Sequence, residues 1–194
     1  FKAPTFNDLY WPGAGNPNLK PEESRNREAS LHYETNDHHT SLTYYRNDID
    51  NLVEWAPGPG GLWFPANVAK AKLSGWTLAY NGHLAGFRVN ASLDLQDPQD
   101  IDRNKQLRYR AEEIAKFGLS RDFGDLTLGA EVLASGKRYN DTANTQKLGG
   151  YGVVNLTAAY RFARDWSVFG RANNVFDKDH VLVHAGLLPQ WSAA

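Results

Sequence analysis

The chain has no cysteine and no methionine. Without cysteine there is no disulfide framework and no thiolate metal site. Without methionine, residue 1 is not a translation start. We therefore expect an excised piece of a longer protein, with any signal peptide upstream. No run approaches the roughly 20 apolar residues of a membrane helix. One long charge-free stretch, Trp55–Ala69, holds Pro57, Pro59 and Pro65 among glycines and reads as a loop over residues 56–66. Neither sign of charge dominates. Lys and Arg number 21 against 22 Asp and Glu, a net of −1, which leaves no electrostatic case for a nucleic-acid partner. Gly-rich phosphate loops, Gly-x-Ser-x-Gly elbows and recognisable Ser/His/Asp spacings are missing too, so nothing points to an enzyme.

What is present is alternation. Phe87, Val89, Ala91, Leu93 and Leu95 are apolar, and Arg88, Asn90, Ser92, Asp94 and Gln96 are polar. Period two makes this a strand with one apolar and one wet face. Its length, about ten residues, suits a tilted strand crossing a bilayer. The mean hydropathy of −0.57 does not oppose this, because half of each barrel strand faces water.

The same pattern recurs along the chain. Residues 1–21 carry four prolines and two glycines and read as the tail of one strand and an ordered loop. Ala29, Leu31 and Tyr33 mark a strand over Glu22–Glu34, and Leu42 and Tyr44 a second from Thr40 to Trp55. Trp76, Leu78 and Tyr80 mark Val68–Asn81, with a turn at Asn81-Gly82-His83. Ala115, Phe117 and Leu119 mark Arg108–Ser120. Leu126–Ser135, Val154–Phe162 and Trp166–Ala172 follow. The resulting eight or so strands are joined antiparallel. Turns near 37, 82, 123 and 164 are short, and loops near 60, 102 and 143 are long. That sorting is the habit of a membrane barrel. Tyr33, Tyr80, Phe87, Phe117, Tyr160, Phe162 and Trp166 sit beside the short turns, as an interfacial girdle would. A soluble sandwich whose aromatics fill its core remains the rival.

Three stretches carry a family resemblance: Phe1-Lys2-Ala3-Pro4 through Gly15-Asn16-Pro17-Asn18-Leu19-Lys20-Pro21-Glu22, Tyr45-Arg46-Asn47-Asp48, and Arg171-Ala172-Asn173-Asn174-Val175-Phe176-Asp177-Lys178-Asp179. Together they resemble the TonB-dependent outer-membrane transporters, and among these the cobalamin receptors most. Ferric-siderophore receptors share much of the wording. The resemblance implies an all-β fold, an antiparallel transmembrane β-barrel segment of eight to nine strands. The whole barrel would have about 22 strands around an amino-terminal plug absent here. Residues 1–179 would be the carboxy-terminal part of that barrel. Residues 180–194, with Pro189 and a terminal Ala-Ala, depart from the expected last strand. The implied partners are outer-membrane lipid and lipopolysaccharide, a cobalamin or siderophore ligand, and TonB through the missing plug region. No cofactor and no metal site carry over.

Candidate residues fall into two groups. Ligand contacts are expected from the long extracellular loops: Trp55, Trp63, Phe64, Asp100, Asp102, Arg103, Tyr139, Asn140 and Asp141. Aromatic and amide or acid side chains there suit a large amide-rich ligand. Arg88, Asn90, Asp94, Glu131, Asn155, Arg171 and Asn173 are expected to face the lumen and the plug; the bland alternative is that they only solvate the interior. His38 and His39 beside Asp37 read as a solvated turn, since neighbours on an extended chain point apart. A passive porin-like channel and a barrel enzyme are the other functional classes, and His83, His180 and His184 have no matched partners for the second.

Overall fold

The computed structural model describes residues 1–58 and 62–181. The residues from 182 on, including His184 and Pro189 of the expected atypical tail, lie outside the described residues. Strands β1 (Glu23–Glu34), β2 (His38–Pro57), β3 (Trp63–Leu84), β4 (Phe87–Asp100), β6 (Glu113–Phe123), β7 (Leu126–Ser135), β10 (Tyr151–Ala163) and β11 (Trp166–Ala172) form one antiparallel sheet in chain order. The two-residue β5 (Lys105–Gln106) pairs with β4, and β8 (Arg138–Tyr139) pairs with β9 (Lys147–Leu148).

The register puts like on like. Leu31, Leu42, Leu78, Leu93, Ala115 and Ala134 stand side by side across six strands. On the sheet's other face, Glu34, His39, Asn81, Asn90, Gly118, Glu131 and Asn155 form a polar row. The apolar face is bare: Trp76 is 49%, Leu95 47%, Phe117 44% and Leu156 48% exposed. A continuous uncovered apolar surface of this kind needs a non-aqueous neighbour. No second sheet covers it among the described residues, so the sandwich rival fails. What burial there is gathers at the long-loop end, where Leu107 packs on Ile49 and Ala71 with Leu52 and Leu73 beside them.

The short turns follow from their residues. Ala85 (φ 52°) and Gly86 (φ 81°) make the β3–β4 turn with both central residues left-handed, the geometry that matches strand twist. Gly124 (φ 65°) opens the β6–β7 turn. The expected turn at Asn81-Gly82-His83 is therefore corrected. Those residues pair in the ladder with Asn90, Val89 and Arg88, and the apolar pair Leu84–Phe87 closes the hairpin. Exposed Tyr33, Tyr160, Phe162 and Trp166 mark this end.

At the far end the strands overrun expectation. β2 and β3 have 20 and 22 residues, about twice what crosses a bilayer. They stay paired as far as Pro57 opposite Trp63, so the expected loop 56–66 shrinks to the few residues between. Leu42 is the exposed large apolar residue of β2 among the described residues; beyond it Tyr44 packs on Trp76 and Ile49 is buried. The expected strand tail near residue 1 is a single bridge, Lys2 to Glu22, followed by helix α1 (Phe6–Tyr10). Thr5 caps α1 by accepting from the Asp8 N–H (3.2 Å), and the Asp8 carboxylate accepts from the Thr5 N–H (2.8 Å). This capping box lets one turn form between Pro4 and Pro12. The strand expected to begin at Arg108 begins at Glu113; residues 107–112 are connection.

Candidate ligand-facing site and polar wall

The tips of β2 and β3 meet the β4–β6 connection around Arg108. Its side chain is 4% exposed. One Nη donates to the Trp55 carbonyl, and Nε lies 3.8 Å from the Glu54 carboxylate. The guanidinium carbon stands 5.4 Å from the centre of the Trp63 ring and 5.2 Å from that of Tyr109, and both rings favour the cation. Among the described residues, Nε and Nη1 find no hydrogen-bond acceptor. Unused donors on a buried cation are costly and rare. A cavity of about 440 Å³ opens here, lined by Leu52, Glu54, Trp55, Trp63, Arg108, Tyr109 and Arg110 among others. Burial pushes the Glu54 carboxyl above its ordinary range, and Arg108 pulls the other way.

Residues 1–22 strap this tip. The Trp55 indole N–H donates to Asp8 (2.7 Å), the Val53 N–H to Glu22 (3.0 Å), and the Asn16 amide to the Pro65 carbonyl (3.2 Å). Asn67 exchanges bonds with the Lys20 backbone at 2.9 and 3.0 Å. Burial works to raise the Asp8 carboxyl, yet the bonds from Thr5 and Trp55 hold it below its ordinary value.

The two remaining long connections lock onto each other. The Tyr109 hydroxyl donates to Asn140 (3.0 Å) and its N–H to the Tyr139 carbonyl (2.9 Å). Asn144 accepts from the Gln106 N–H (2.8 Å) and donates to the Gln106 carbonyl (2.9 Å). Asp141 accepts from the N–H groups of Thr145 (3.1 Å) and Gln146 (2.7 Å) and from the Thr145 hydroxyl (2.8 Å). Burial would raise Asp141, but these bonds keep its carboxyl low.

Of the expected ligand contacts, Trp55 and Trp63 line the cavity. Phe64 packs its ring against Gly58. Tyr139, Asn140 and Asp141 are fixing residues of the connection behind Tyr109. Asp102 lies in an exposed turn. Arg103 is bound at 2.5 Å to Asp100, whose side chain is 5% exposed. Arg108, Tyr109 and Glu54 were not anticipated. The usable signal was a cation flanked by an aromatic, Arg108-Tyr109-Arg110, next to a long charged loop.

The seven expected lumen residues share the polar face or its end. Arg171 grips both carboxylate oxygens of Glu131 across β10, and its Nε donates to Asn173 (2.6 Å). Asn155 accepts from the Asn174 N–H (2.9 Å). Arg88 pairs with Asp122 at 2.5 Å, and Asp94 accepts from Thr77 at 2.6 Å. The Asn90 amide fills the space a side chain on Gly118 would need. Asn90, Glu131, Asn155 and Arg171 border one cavity of about 520 Å³. His38 and His39 part to opposite faces: His38 bonds the Tyr80 hydroxyl (2.8 Å), and His39 faces Glu34 (3.8 Å).

An antiparallel sheet with one bare apolar face, one polar face, and its long connections at one end is the wall of a transmembrane β-barrel. The chain belongs to the TonB-dependent receptor-like β-barrel family, whose family model matches residues 1–175. It is similar to the vitamin B12 transporter BtuB of Photobacterium profundum, 42% identical over 93% of this chain and 30% of that protein. BtuB of Vibrio vulnificus is 34% identical over 95% of this chain and 30% of its own length. The chain thus spans about a third of the curated relatives it matches. Among solved structures, the copper transporter OprC superposes at a TM-score of 0.78 with 21% identity, over 93% of this chain and 31% of that one, which speaks for the fold alone. The ferric enterobactin receptor PfeA of Pseudomonas aeruginosa gives 0.68 with 25% identity, over 84% of this chain and 27% of its own.

Proposed function

We propose that the chain is the carboxy-terminal wall section of an outer-membrane receptor for the active uptake of cobalamin, energised by TonB. The observation that carries this reading is the Arg108 cavity at the long-loop end. Its walls hold two aromatic rings and a guanidinium whose buried Nε and Nη1 make no hydrogen bond among the described residues. A corrinoid presents an apolar ring system, many amides and one anionic phosphodiester, which such a cavity complements. The 42% identity to a vitamin B12 transporter supports it. In this reading the wall has no chemical step to perform. The loops capture ligand, and Arg88, Asn90, Asp94, Glu131, Asn155, Arg171 and Asn173 face a plug carried by the rest of the protein.

A ferric-siderophore receptor is the second reading, favoured by the likeness to the ferric enterobactin receptor. Uptake by the full-length protein separates them. A host lacking its own vitamin B12 transporter is given labelled cyanocobalamin, with and without TonB, and ferric siderophore as competitor. TonB-dependent cobalamin uptake that siderophore does not inhibit is expected. Uptake of ferric siderophore alone replaces the proposal with the second reading, and uptake independent of TonB makes the protein a passive channel.

A further inference from the structure

Two histidines near the short-turn end lie together on the polar face, one of them the His39 of its row. His32 lies on β1 and His39 on β2, in an antiparallel register that pairs His32 with Ser41 and His39 with Glu34. They are therefore diagonal cross-strand neighbours on one face. Their ring centres are 5.9 Å apart with planes tilted by 42°. Two imidazoles that share one metal, each nitrogen about 2.1 Å from it, place their ring centres roughly 5 to 6.5 Å apart. The Glu34 carboxylate is 3.8 Å from Nδ1 of His39. At that distance the carboxylate lies beyond hydrogen-bond reach and adds negative charge beside the pair, which favours a bound cation. The His39 side chain is 44% exposed on the polar, water-facing side of the sheet.

We propose that His32 and His39 form a bis-imidazole site for one divalent transition-metal ion, with the Glu34 carboxylate adding negative charge nearby and water completing the shell. Imidazole pairs suit Cu²⁺, Ni²⁺ and Zn²⁺. Among the described residues no group of three His, Asp or Glu side chains gathers at metal-binding spacing. The site is thus a two-ligand clip across the β1–β2 hairpin.

The test uses untagged full-length protein that contains this chain, with its fold checked by heat-modifiable gel mobility. Cu²⁺ is the probe, followed by titration and by electron paramagnetic resonance. One ion with a two-imidazole-nitrogen signature is expected, absent from the double variant H32Q/H39Q. Each single variant, H32Q or H39Q, loses the two-nitrogen pattern and weakens binding at least about tenfold. H38Q, whose ring turns to Tyr80 on the other face, leaves the signal intact. No Cu²⁺ bound by the unaltered protein, a signal that survives in the double variant, or an equal loss in H38Q overturns the proposal.

Discussion

Gly75 tests the packing of the wall. It is buried in β3, opposite Tyr45 of β2 and Gln96 of β4. The Tyr45 hydroxyl lies across it and donates to the Gln96 side chain at 3.5 Å. A Cβ at this position would meet the Tyr45 hydroxyl and the Gln96 Cα at 2.9 Å, and the Leu95 carbonyl closer still. Ordinary contact begins near 3.4 Å. The ladder fixes neighbouring strands about 4.8 Å apart, so backbone rather than a flexible side chain must give way. Overpacking of this kind costs about 1–3 kcal/mol. Gly75→Ala also restricts the unfolded chain, which stabilises by about 0.4–1 kcal/mol. Gly170→Ala provides the control, because nothing lies within 4 Å of its Cβ while the unfolded-state benefit is the same. Urea unfolding of the full-length protein in phospholipid vesicles should place Gly75→Ala about 1–3 kcal/mol below Gly170→Ala. Equality within about 0.5 kcal/mol would refute the reasoning.

At the cavity, Arg108→Ala removes two unused donors and leaves Glu54 without its cation. A charge-assisted hydrogen bond contributes about 1.5–3 kcal/mol, so the Kd for cyanocobalamin should rise roughly 10- to 100-fold. Arg108→Lys should recover only part of that, since an ammonium cannot fork or stack beside Trp63 and Tyr109; a change under about threefold for Arg108→Ala would remove it from the binding surface. Asp141 predicts a pH effect. Its carboxyl is held below the ordinary value of 3.8, so its contribution is present above that value and is lost as pH falls through the lower folded one. Protection against hydrogen exchange across residues 139–147, taken relative to the intrinsic rate at each pH, should fall below about pH 4, and Asp141→Asn should lose that acid-dependent step.

The strands were legible where one face is bare and apolar and the other polar. Leu31, Leu42, Leu78 and Leu93 alternate with polar neighbours because the apolar face is uncovered, and that contrast survives without any partner sheet. Legibility failed where the contrast ends. Past Tyr44, both faces of β2 meet water or folded connections, so Pro57 and Pro65 looked like loop residues although they sit in a paired hairpin. Arg108 read as strand because the alternation at Ala115, Phe117 and Leu119 was carried back to it, yet the strand starts at Glu113 and Leu107 is buried in the connection against Ile49. The turn at residues 81–83 failed for a narrower reason. Asn-Gly is a strong hairpin signal, but Gly82 is a ladder position where the Tyr80 hydroxyl and the Asp37 carbonyl crowd in. Among the expected ligand contacts, Trp55 and Trp63 reached the cavity through strand register. Asn140 and Asp141 were drawn into bonds with their own loop, which composition alone does not reveal.

The long pairing of β2 with β3 bears on how capture would proceed. The hydrogen-bonded ladder runs from His38 opposite Gly82 to Pro57 opposite Trp63. Trp55 and Trp63 thus ride on a stiff mast rooted in the wall. Their conformational freedom is spent during folding, so a ligand that lands between them gives up little further entropy on their account. Whatever ordering binding still demands falls on residues 1–22 and on the connections behind Tyr109. Differences in residence time between ligands should then be set by contacts with those segments, with the mast common to all.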